Sequence, residues 1–399
     1  MAYDFLVLGA DGQIGVLCSR YLLAHGYTVM TADVYRDTIT RETREFGDRT
    51  IFRYCDHRYT TDIADTIRSA NGAVVLDCAD DYYADNVFDA CLLTSAHHID
   101  FGGDLSGTRR RVARGAQFRA AGLTAVMGCG SVPGIGGAML GFLSRRCAKI
   151  TRAESGFAWN SNQHDFVPPF FLFVVMYELS EPAQVLRHGQ LRSLPSMSLS
   201  RTRKFEGVGR QTVYAVPHPE VWTYKHYYPT IREATFWAGF PKHSLEVIKA
   251  LIAVGLHRNK PIATVIDTGD VLIHPCDFIT AICKEIKFPD SYEESENLWT
   301  EVWGRNDGKA LHHKMECLVP PIKGYKRYGC NVDTAFPGCV IAEMVRDGEI
   351  QTRGVFCTES DALPVDRFLQ RMVELGFRFQ LDGFPISIDS AGQERHIVE

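Results

Sequence analysis

Along the first 130 residues, short unbroken apolar runs alternate with stretches whose apolar positions recur every three or four residues. The runs YDFLVLG (3–9), YTVMTAD (27–33), TIFRYCD (50–56), GAVVLDCA (72–79), HHIDFGGD (97–104) and LTAVMGCG (123–130) predict six strands buried on both faces. Helices are predicted over 13–26, 59–70, 83–95 and 108–121; in the first, Ile14, Leu17, Cys18, Tyr21 and Leu22 share one side and Gly26 stops it. This alternation predicts a doubly wound parallel sheet with helices on both faces.

The pattern changes after Gly130. A helix over 134–147 leads into a long strand, KITRAESGFAWN (149–160), and hairpin-like material follows over 202–222. TFWAGF (235–240), PIATVIDTG (261–269) and LWTEVWGRNDGKALHHKMECLV (298–319) add strands, the last folded on itself at GRNDGK, whose Asn-Asp-Gly suits positive φ. TAFPGCVIAEMVRDGEI (334–350) returns to a helix that Gly348 stops. We divide the chain into residues 1–130, a nucleotide-binding unit; 131–325, a second α/β unit on a mixed, largely antiparallel sheet; and 326–399, a segment returning to the first unit. No internal repeat or low-complexity linker separates them.

Composition changes this picture little. With 399 residues, 45% hydrophobic and 23% charged, the chain has enough material for two buried cores. A formal charge of −5 gives no electrostatic footprint for nucleic acid or an anionic membrane. The longest apolar stretch, VPPFFLFVVMY (167–177), is too short to span a bilayer, and the first residues read as a strand and not as a signal peptide. The 12 cysteines contain no CxxC pair and no zinc spacing, so we expect reduced thiols, a cytoplasmic location and no metal. The adjacent pairs His97–His98 and His312–His313 fit that expectation, because neighbours on a strand point to opposite faces.

Candidate chemistry begins at FLVLGADGQIGVLCSRYL (5–22). Gly9, Gly12 and Gly15 lie between a predicted strand and a predicted helix, one residue longer in spacing than Gly-x-Gly-x-x-Gly. The first allows a sharp turn, the second lets backbone amides approach a pyrophosphate, and the third lets helix and strand pack closely. The helix N-terminus adds partial positive charge. Asp11, Gln13 and Ile14 belong to the same loop and first turn. Asp33, at the end of the second strand with Val34 after it, is placed to accept both ribose hydroxyls of an adenosine. A carboxylate there favours NAD over NADP, although Arg36 could clamp a 2′-phosphate. Asp56, ending the third strand, could meet the adenine or be a solvated turn residue. An ordinary tight turn is the bland alternative for the glycines, as a strand-end cap is for Asp33.

A second glycine cluster, GCGSVPGIGGAMLGF (128–142), opens a helix whose first turn is bare backbone. It can approach a nicotinamide or substrate, or simply pack on the sheet. Cys129 lacks a neighbouring base and is a poor candidate for a thiolate nucleophile.

With these two clusters, HHIDFGGD, LSEPAQVLRHGQLRSLPSMS (179–198), DTGDVLIHPCDFITAI (267–282), EVWGRNDGKALHHKMECLV (301–319) and TAFPGCVIAEMVRDGEIQTRGVF (334–356) resemble the saccharopine dehydrogenase family, on the side of its lysine 6-dehydrogenase-like members. The resemblance implies a Rossmann domain, a catalytic and dimerisation domain, a homodimer, and NAD(P)-dependent oxidation of a C–N bond or reduction of the corresponding imine. It also implies that Gly9, Gly12, Gly15 and Asp33 hold the cofactor. Cys78 and Ala79 would border the adenosine and nicotinamide ribose, Gly103 and Asp104 would reach the cleft, and Val132, Pro133 and Gly134 would lie near the nicotinamide. In PPFFLFVVMYE (168–178) the sequence departs from the family, placing Phe170, Phe171 and Phe173 where polar or acidic residues are usual. That stretch reads as a buried helix or as a less polar substrate pocket.

Hydride transfer needs a group to manage the amine proton and something to hold a carboxylate. Asp104 is the leading candidate on the catalytic side, with a helix N-cap as its alternative. Lys225 or His226 could shuttle the proton, Arg232 could hold a carboxylate, and Tyr82, with Asp81, follows the fourth strand at the edge where open α/β sheets bind ligands. The expected partner is a small amino acid, amine or imine. Two alternatives keep the fold: a carbonyl or hydroxyl oxidoreductase on a less polar substrate, and a non-catalytic dinucleotide sensor.

Overall fold

The computed structural model describes residues 2–168, 172–266, 269–286, 292–388 and the backbone of 394–396. Six parallel strands form the first sheet in the expected order of appearance: β1 (Phe5–Leu8), β2 (Val29–Asp33), β3 (Thr50–Tyr54), β4 (Val74–Asp77), β5 (His98–Asp100) and β6 (Thr124–Met127). The spatial order is β6-β5-β4-β1-β2-β3, with the strand Gly354–Cys357 added beside β6 as a seventh, parallel member. β1, β2, β4, β5 and β6 are buried along their length, as unbroken apolar strands require, whereas β3, at the sheet's edge, is mostly exposed or half-buried.

Helices α1 (Gln13–Ala24), α2 (Asp37–Thr43), α3 (Thr60–Ala70), α4 (Ala84–Thr94), α5 (Leu105–Ala113) and α6 (Gly115–Ala120) connect these strands. The helix Val332–Arg346 packs beside α1, where Tyr21 meets Phe336 at a ring-centroid distance of 4.9 Å. A small residue on the same helix admits the ring that follows β5: a Cβ on Gly338 would lie 2.2 Å from the Phe101 ring.

Beyond α7 (Ile135–Ser144), strand β7 (Lys149–Ser161) anchors the second sheet. It pairs parallel with Glu233–Gly239 and antiparallel with Glu294–Asn306, which turns at Asp307–Gly308 into Lys309–Val319. One parallel pair within an otherwise antiparallel sheet gives the expected mixed, largely antiparallel architecture. The hairpin-like stretch is only partly a hairpin: strands Ser200–Phe205 and Gly209–Ala215 pair, but α9 (Glu220–Tyr227) follows them as a helix. The aromatic segment forms α8 (Leu172–Ser180), with Phe173 packed against the core; Phe170 and Phe171 lie outside the described residues.

The segment after residue 325 does not return whole to the first unit. Helix Val332–Arg346 and strand Gly354–Cys357 do, but strands Arg378–Leu381 and Phe384–Ile388 pair onto Lys309–Val319 of the second sheet. The apolar positions of these short strands carry no mark of which sheet they will join. Among the described residues, no helix is long and apolar enough to cross a membrane.

Candidate active site

At the end of β1 the chain turns with Gly9 at φ 70°, a conformation costly for any residue with a Cβ. A Cβ there would lie 2.5 Å from the Cys78 carbonyl oxygen, and one on Gly15 would lie 2.2 Å from that of Gly9. Gly12 caps α1 in extended backbone, leaving the first-turn amides of the helix without a side-chain cap. These glycines let β1, α1 and the end of β4 close around an open backbone cradle, so the residues fit a dinucleotide pyrophosphate.

The carboxylate of Asp33 shapes that cradle from the side. It accepts the Asp11 amide at 2.9 Å and the Tyr35 amide at 3.1 Å, while Asp11 in turn accepts the Ile39 amide at 2.7 Å. Asp33 thereby ties the glycine loop to the start of α2, and each of its oxygens keeps a lone pair for a ribose hydroxyl. Gln13 and Ile14 occupy the first turn of α1, and the side-chain amide of Asn331 reaches the Gln13 side-chain carbonyl at 3.4 Å. Val34 and Arg36 are exposed just past β2, and the Arg36 guanidinium makes no hydrogen bond or ion pair among the described residues. Asp56 is held by Arg58, whose Nη2 lies 2.6 Å from its Oδ2; this ion pair, more than any other influence, holds the Asp56 carboxyl below its usual range.

The second cluster is a tight knot. Gly134 has φ 141°, and a Cβ on it would sit 1.7 Å from the Gly130 carbonyl oxygen. Pro133, after a cis Val132–Pro133 bond, fills the space above Gly128, and Val132 lies over Gly136. The knot is fastened to both sheets by hydroxyls: Thr358, just past the edge strand Gly354–Cys357 of the first sheet, donates to the Gly134 carbonyl at 2.8 Å, and Thr300 of the second sheet donates to that of Gly136 at 3.0 Å. Ser155 links Thr300 (2.9 Å) to the buried Tyr224 hydroxyl (2.6 Å). Because these groups are buried, each bond lost would leave an unpaired polar group, which is why the loop is held so firmly.

Between the two glycine clusters, at the ends of β4 and β5, lies a group of carboxylates. Asp81 follows β4; although the residue as a whole is exposed, its carboxylate turns in to accept the Gly103 amide at 3.1 Å. A Cβ on Gly102 would meet Oδ1 of both Asp81 and Asp100, at 2.1 and 2.8 Å, so the two carboxylates flank the same glycine. Burial of its carboxyl, then repulsion from Asp100, raises Asp81 to about 7, with Arg111 opposing. Buried Arg111 sits 3.3 Å from Asp100 and 3.1 Å from Asp85. On β4 itself, buried Asp77 meets His98 at 3.3 Å.

The other candidates from sequence are dispersed. Asp104 caps α5, accepting the Ser106 amide at 3.1 Å and the Gly107 amide at 2.6 Å. Tyr82, beside Asp81, is 81% exposed with its ring edge-on to Tyr83. Cys78 and Ala79 line the cradle, and Gly103 supplies the amide to Asp81. Lys225 and His226 lie on α9, whose Tyr227 hydroxyl accepts the Cys357 amide on the sheet's edge strand, four strands from the glycine loop after β1. Lys225 donates to the Gly189 carbonyl, and Arg232 donates to that of His188 at 2.8 Å. The structure therefore gathers these three on the flank of the sheet, away from the cradle. Cys129 is fully buried with its thiol bonded to the Val126 carbonyl at 3.3 Å, and burial pushes it well above the usual thiol range. His97 and His98 do point apart, one to the Thr124 amide and the other to Asp77.

Residues 5–126 match the saccharopine dehydrogenase NADP binding domain, and residues 124–377 match the saccharopine dehydrogenase C-terminal domain. The chain belongs to the saccharopine dehydrogenase family. Its relatives in that family include carboxyaminopropylagmatine dehydrogenase of Synechocystis sp., 23% identical over 65% of this chain and 65% of that one. Carboxynorspermidine synthase of Vibrio alginolyticus is 22% identical over 65% of this chain and 63% of the relative. The match thus spans slightly less than two thirds of either curated relative. The fold is shared with saccharopine dehydrogenase (L-Glu forming) from Saccharomyces cerevisiae, at 15% identity and a TM-score of 0.71, over 95% of this chain and 100% of that one.

Several buried acids beyond the glycine knot add a pH dependence to the family fold. Burial raises Glu178, Asp333, Glu343 and Glu359 to about 7 each, whereas unfolded carboxyls titrate near pH 4. Burial lowers the His218 imidazole, but Glu220 and Glu178 outweigh that effect and hold it above its ordinary value. Between roughly pH 4 and 7 the folded chain keeps protons that the unfolded chain has released, so stability falls as pH rises through 7. His97 and His243, both lowered first of all by burial, act in the opposite sense but are fewer. The thermal midpoint should be higher at pH 6 than at pH 8 in buffers of equal ionic strength; a higher midpoint at pH 8 would contradict this account.

Proposed function

We propose that this family member is an NADP(H)-dependent oxidoreductase that interconverts an amine C–N bond and an imine on a small carboxylated amine or amino acid. The observation that carries this reading is Asp81: a carboxyl near neutrality, fixed by the Gly103 amide, between the dinucleotide cradle and the Val132–Gly134 knot. When bound, the nicotinamide supplies or accepts the hydride. The chain does the rest. Gly9, Gly12 and Gly15 position the pyrophosphate, Asp33 accepts the 3′-hydroxyl that the adenosine ribose of NADP retains, and the knot presents bare backbone to the reacting end. Asp81 takes the amine proton in the oxidative direction and returns it to nitrogen in the reductive direction. Asp80, Asp81 and Asp104 give this edge of the sheet a negative rim that favours an ammonium. The names of both curated relatives combine a carboxyl group with an amine chain, which supports the substrate class.

The Asp33 carboxylate taken alone favours NAD; the family of the N-terminal domain and the unpaired, exposed Arg36 guanidinium beyond β2 weigh the other way, and on them we take NADP as the cofactor. Arg36→Ala should weaken NADPH binding about tenfold, the scale of one lost charge-assisted contact, and leave NADH binding unchanged. Fluorescence titration of both nucleotides decides this; tighter NADH binding by the unaltered protein would reverse the assignment. We take the assembly to be a homodimer, as the resemblance implies, which light scattering measures directly.

The activity itself is tested by following NADPH absorbance with pairs of a primary amine and a 2-oxo acid. Condensation of each pair releases water, and reduction of the imine gives the secondary amine. Turnover with such pairs is expected. Turnover confined to simple ketones or alcohols would replace this reading with carbonyl reduction, and tight binding without any turnover would make the protein a sensor.

A further inference from the structure

A groove of about 430 Å³ lies away from the glycine cradle, where α9 and the hairpin Ala183–Arg187/Gln190–Leu194 meet α5 of the first unit. That volume is within the range of small-molecule sites. One wall is apolar, formed by Leu186, Leu191, Val221 and Trp222. The other presents Arg109, Lys225 and His226, and among the described residues no carboxylate lines the groove.

Arg109 is the telling residue. It is exposed, its guanidinium carbon lies 5.6 Å from the Trp222 ring centroid, and among the described residues that guanidinium has no hydrogen bond or ion pair. Its neighbours behave otherwise: Arg110 pairs with Asp85 at 2.9 Å, and Arg111 with Asp85 and Asp100. Among the described residues the Lys225 ammonium is bonded only to the Gly189 carbonyl, leaving two protons and its whole charge unanswered there. Arg232 stands at the rim, its guanidinium carbon 3.6 Å from where a Gly189 Cβ would be. An unpaired guanidinium on an indole face beside an uncompensated ammonium is the arrangement that binds an anion with a flat or branched apolar body.

We propose that this groove is a second ligand site, separate from the cofactor cradle, for an amphipathic organic anion whose carboxylate lies between Arg109 and Lys225 and whose apolar part rests on Trp222, Val221 and Leu191. Because Arg109 belongs to the first unit and the remaining residues to the second, the ligand would bridge the two.

The probe is 8-anilinonaphthalene-1-sulfonate, an amphipathic anion that fluoresces on binding apolar walls, titrated into the full-length protein at saturating NADP. One saturable site is expected, displaced by 4-phenylbutyrate and not by 4-phenylbutanol. Arg109→Ala and Lys225→Ala should each weaken it about tenfold, and both residues are exposed, so thermal midpoints should stay unchanged. Absence of saturable binding, equal displacement by the alcohol, or unchanged affinity in both variants would overturn the proposal. This readout depends on Arg109 and Lys225 and not on turnover, so its failure is distinct from failure of the oxidoreductase assignment.

Discussion

Gly15→Ala will lose NADPH binding by at least about a hundredfold, roughly 2.7 kcal/mol of affinity. The methyl group it adds has nowhere to go: a Cβ would stand 2.2 Å from the Gly9 carbonyl oxygen and 2.7 Å from the Ala10 Cα, all rigid backbone. Either α1 moves away from β1 or the turn at Gly9 opens, and each displaces the amides that face the pyrophosphate. Overpacking of this kind costs about 1–3 kcal/mol in stability, so a lower thermal midpoint with a retained cooperative transition should accompany the loss. Gly26→Ala is the control for affinity: at φ 93° it too strains the backbone and should lower the thermal midpoint, but its Cβ meets nothing within 4 Å and its position at the far end of α1 should leave NADPH binding unchanged. A Gly15→Ala protein that binds NADPH within about threefold of the original would remove the cradle from the account.

The second large effect is on chemistry. Asp81→Asn should lower kcat/KM by about 10² to 10⁴, the span of a lost general acid–base, with NADPH affinity nearly unchanged. The pH profile discriminates better than the rate. In amine oxidation Asp81 must be ionised to accept the proton, so activity should rise with pH through about 7; in imine reduction it must be protonated, so activity should fall above about 7. A carboxamide at this position cannot titrate, and both limbs should disappear. Asp100→Asn removes the neighbouring carboxylate that helps hold the Asp81 value up, so it should move the limb to lower pH without abolishing turnover. If Asp81→Asn keeps the limb, another group carries the proton.

The first unit was legible because its logic is local. Apolar runs of four to six residues, glycines at a strand–helix junction and an acid at the next strand's end each carry their meaning within a few neighbours. Asp33 illustrates how far that goes: its place at the end of β2 was readable, but its bonds to the Asp11 and Tyr35 amides required the folded loop. Asp81 shows the limit. Nothing in CADDYYAD distinguishes it from Asp80; only the pairing of β4 with β5 brings it beside Asp100 and Gly103. Asp104, more prominent in the sequence, spends its carboxylate on the start of α5. Lys225, His226 and Arg232 sat among aromatics and looked like a site. They are one in the sense of a cavity, but the docking of α9 on the edge strand puts them elsewhere, and that contact joins residues 130 positions apart. The hydroxyls of Thr300, Thr358 and Tyr224 that secure the glycine knot left no trace in any short pattern, since their partners are contributed from distant elements.

The chain's route after residue 325 has a consequence for how this molecule can be taken apart. Residues 332–357 complete the nucleotide-binding sheet and cover α1, and the strands from Arg378 onward then extend the other sheet. A fragment cut after Gly130 would expose the flank of β6 and leave Tyr21, Cys18 and Phe101 facing water. The dinucleotide half is therefore not a portable module. Its edge is woven from residues far downstream of β6, and the cradle gains its full support only after residues 332–357 have been synthesised.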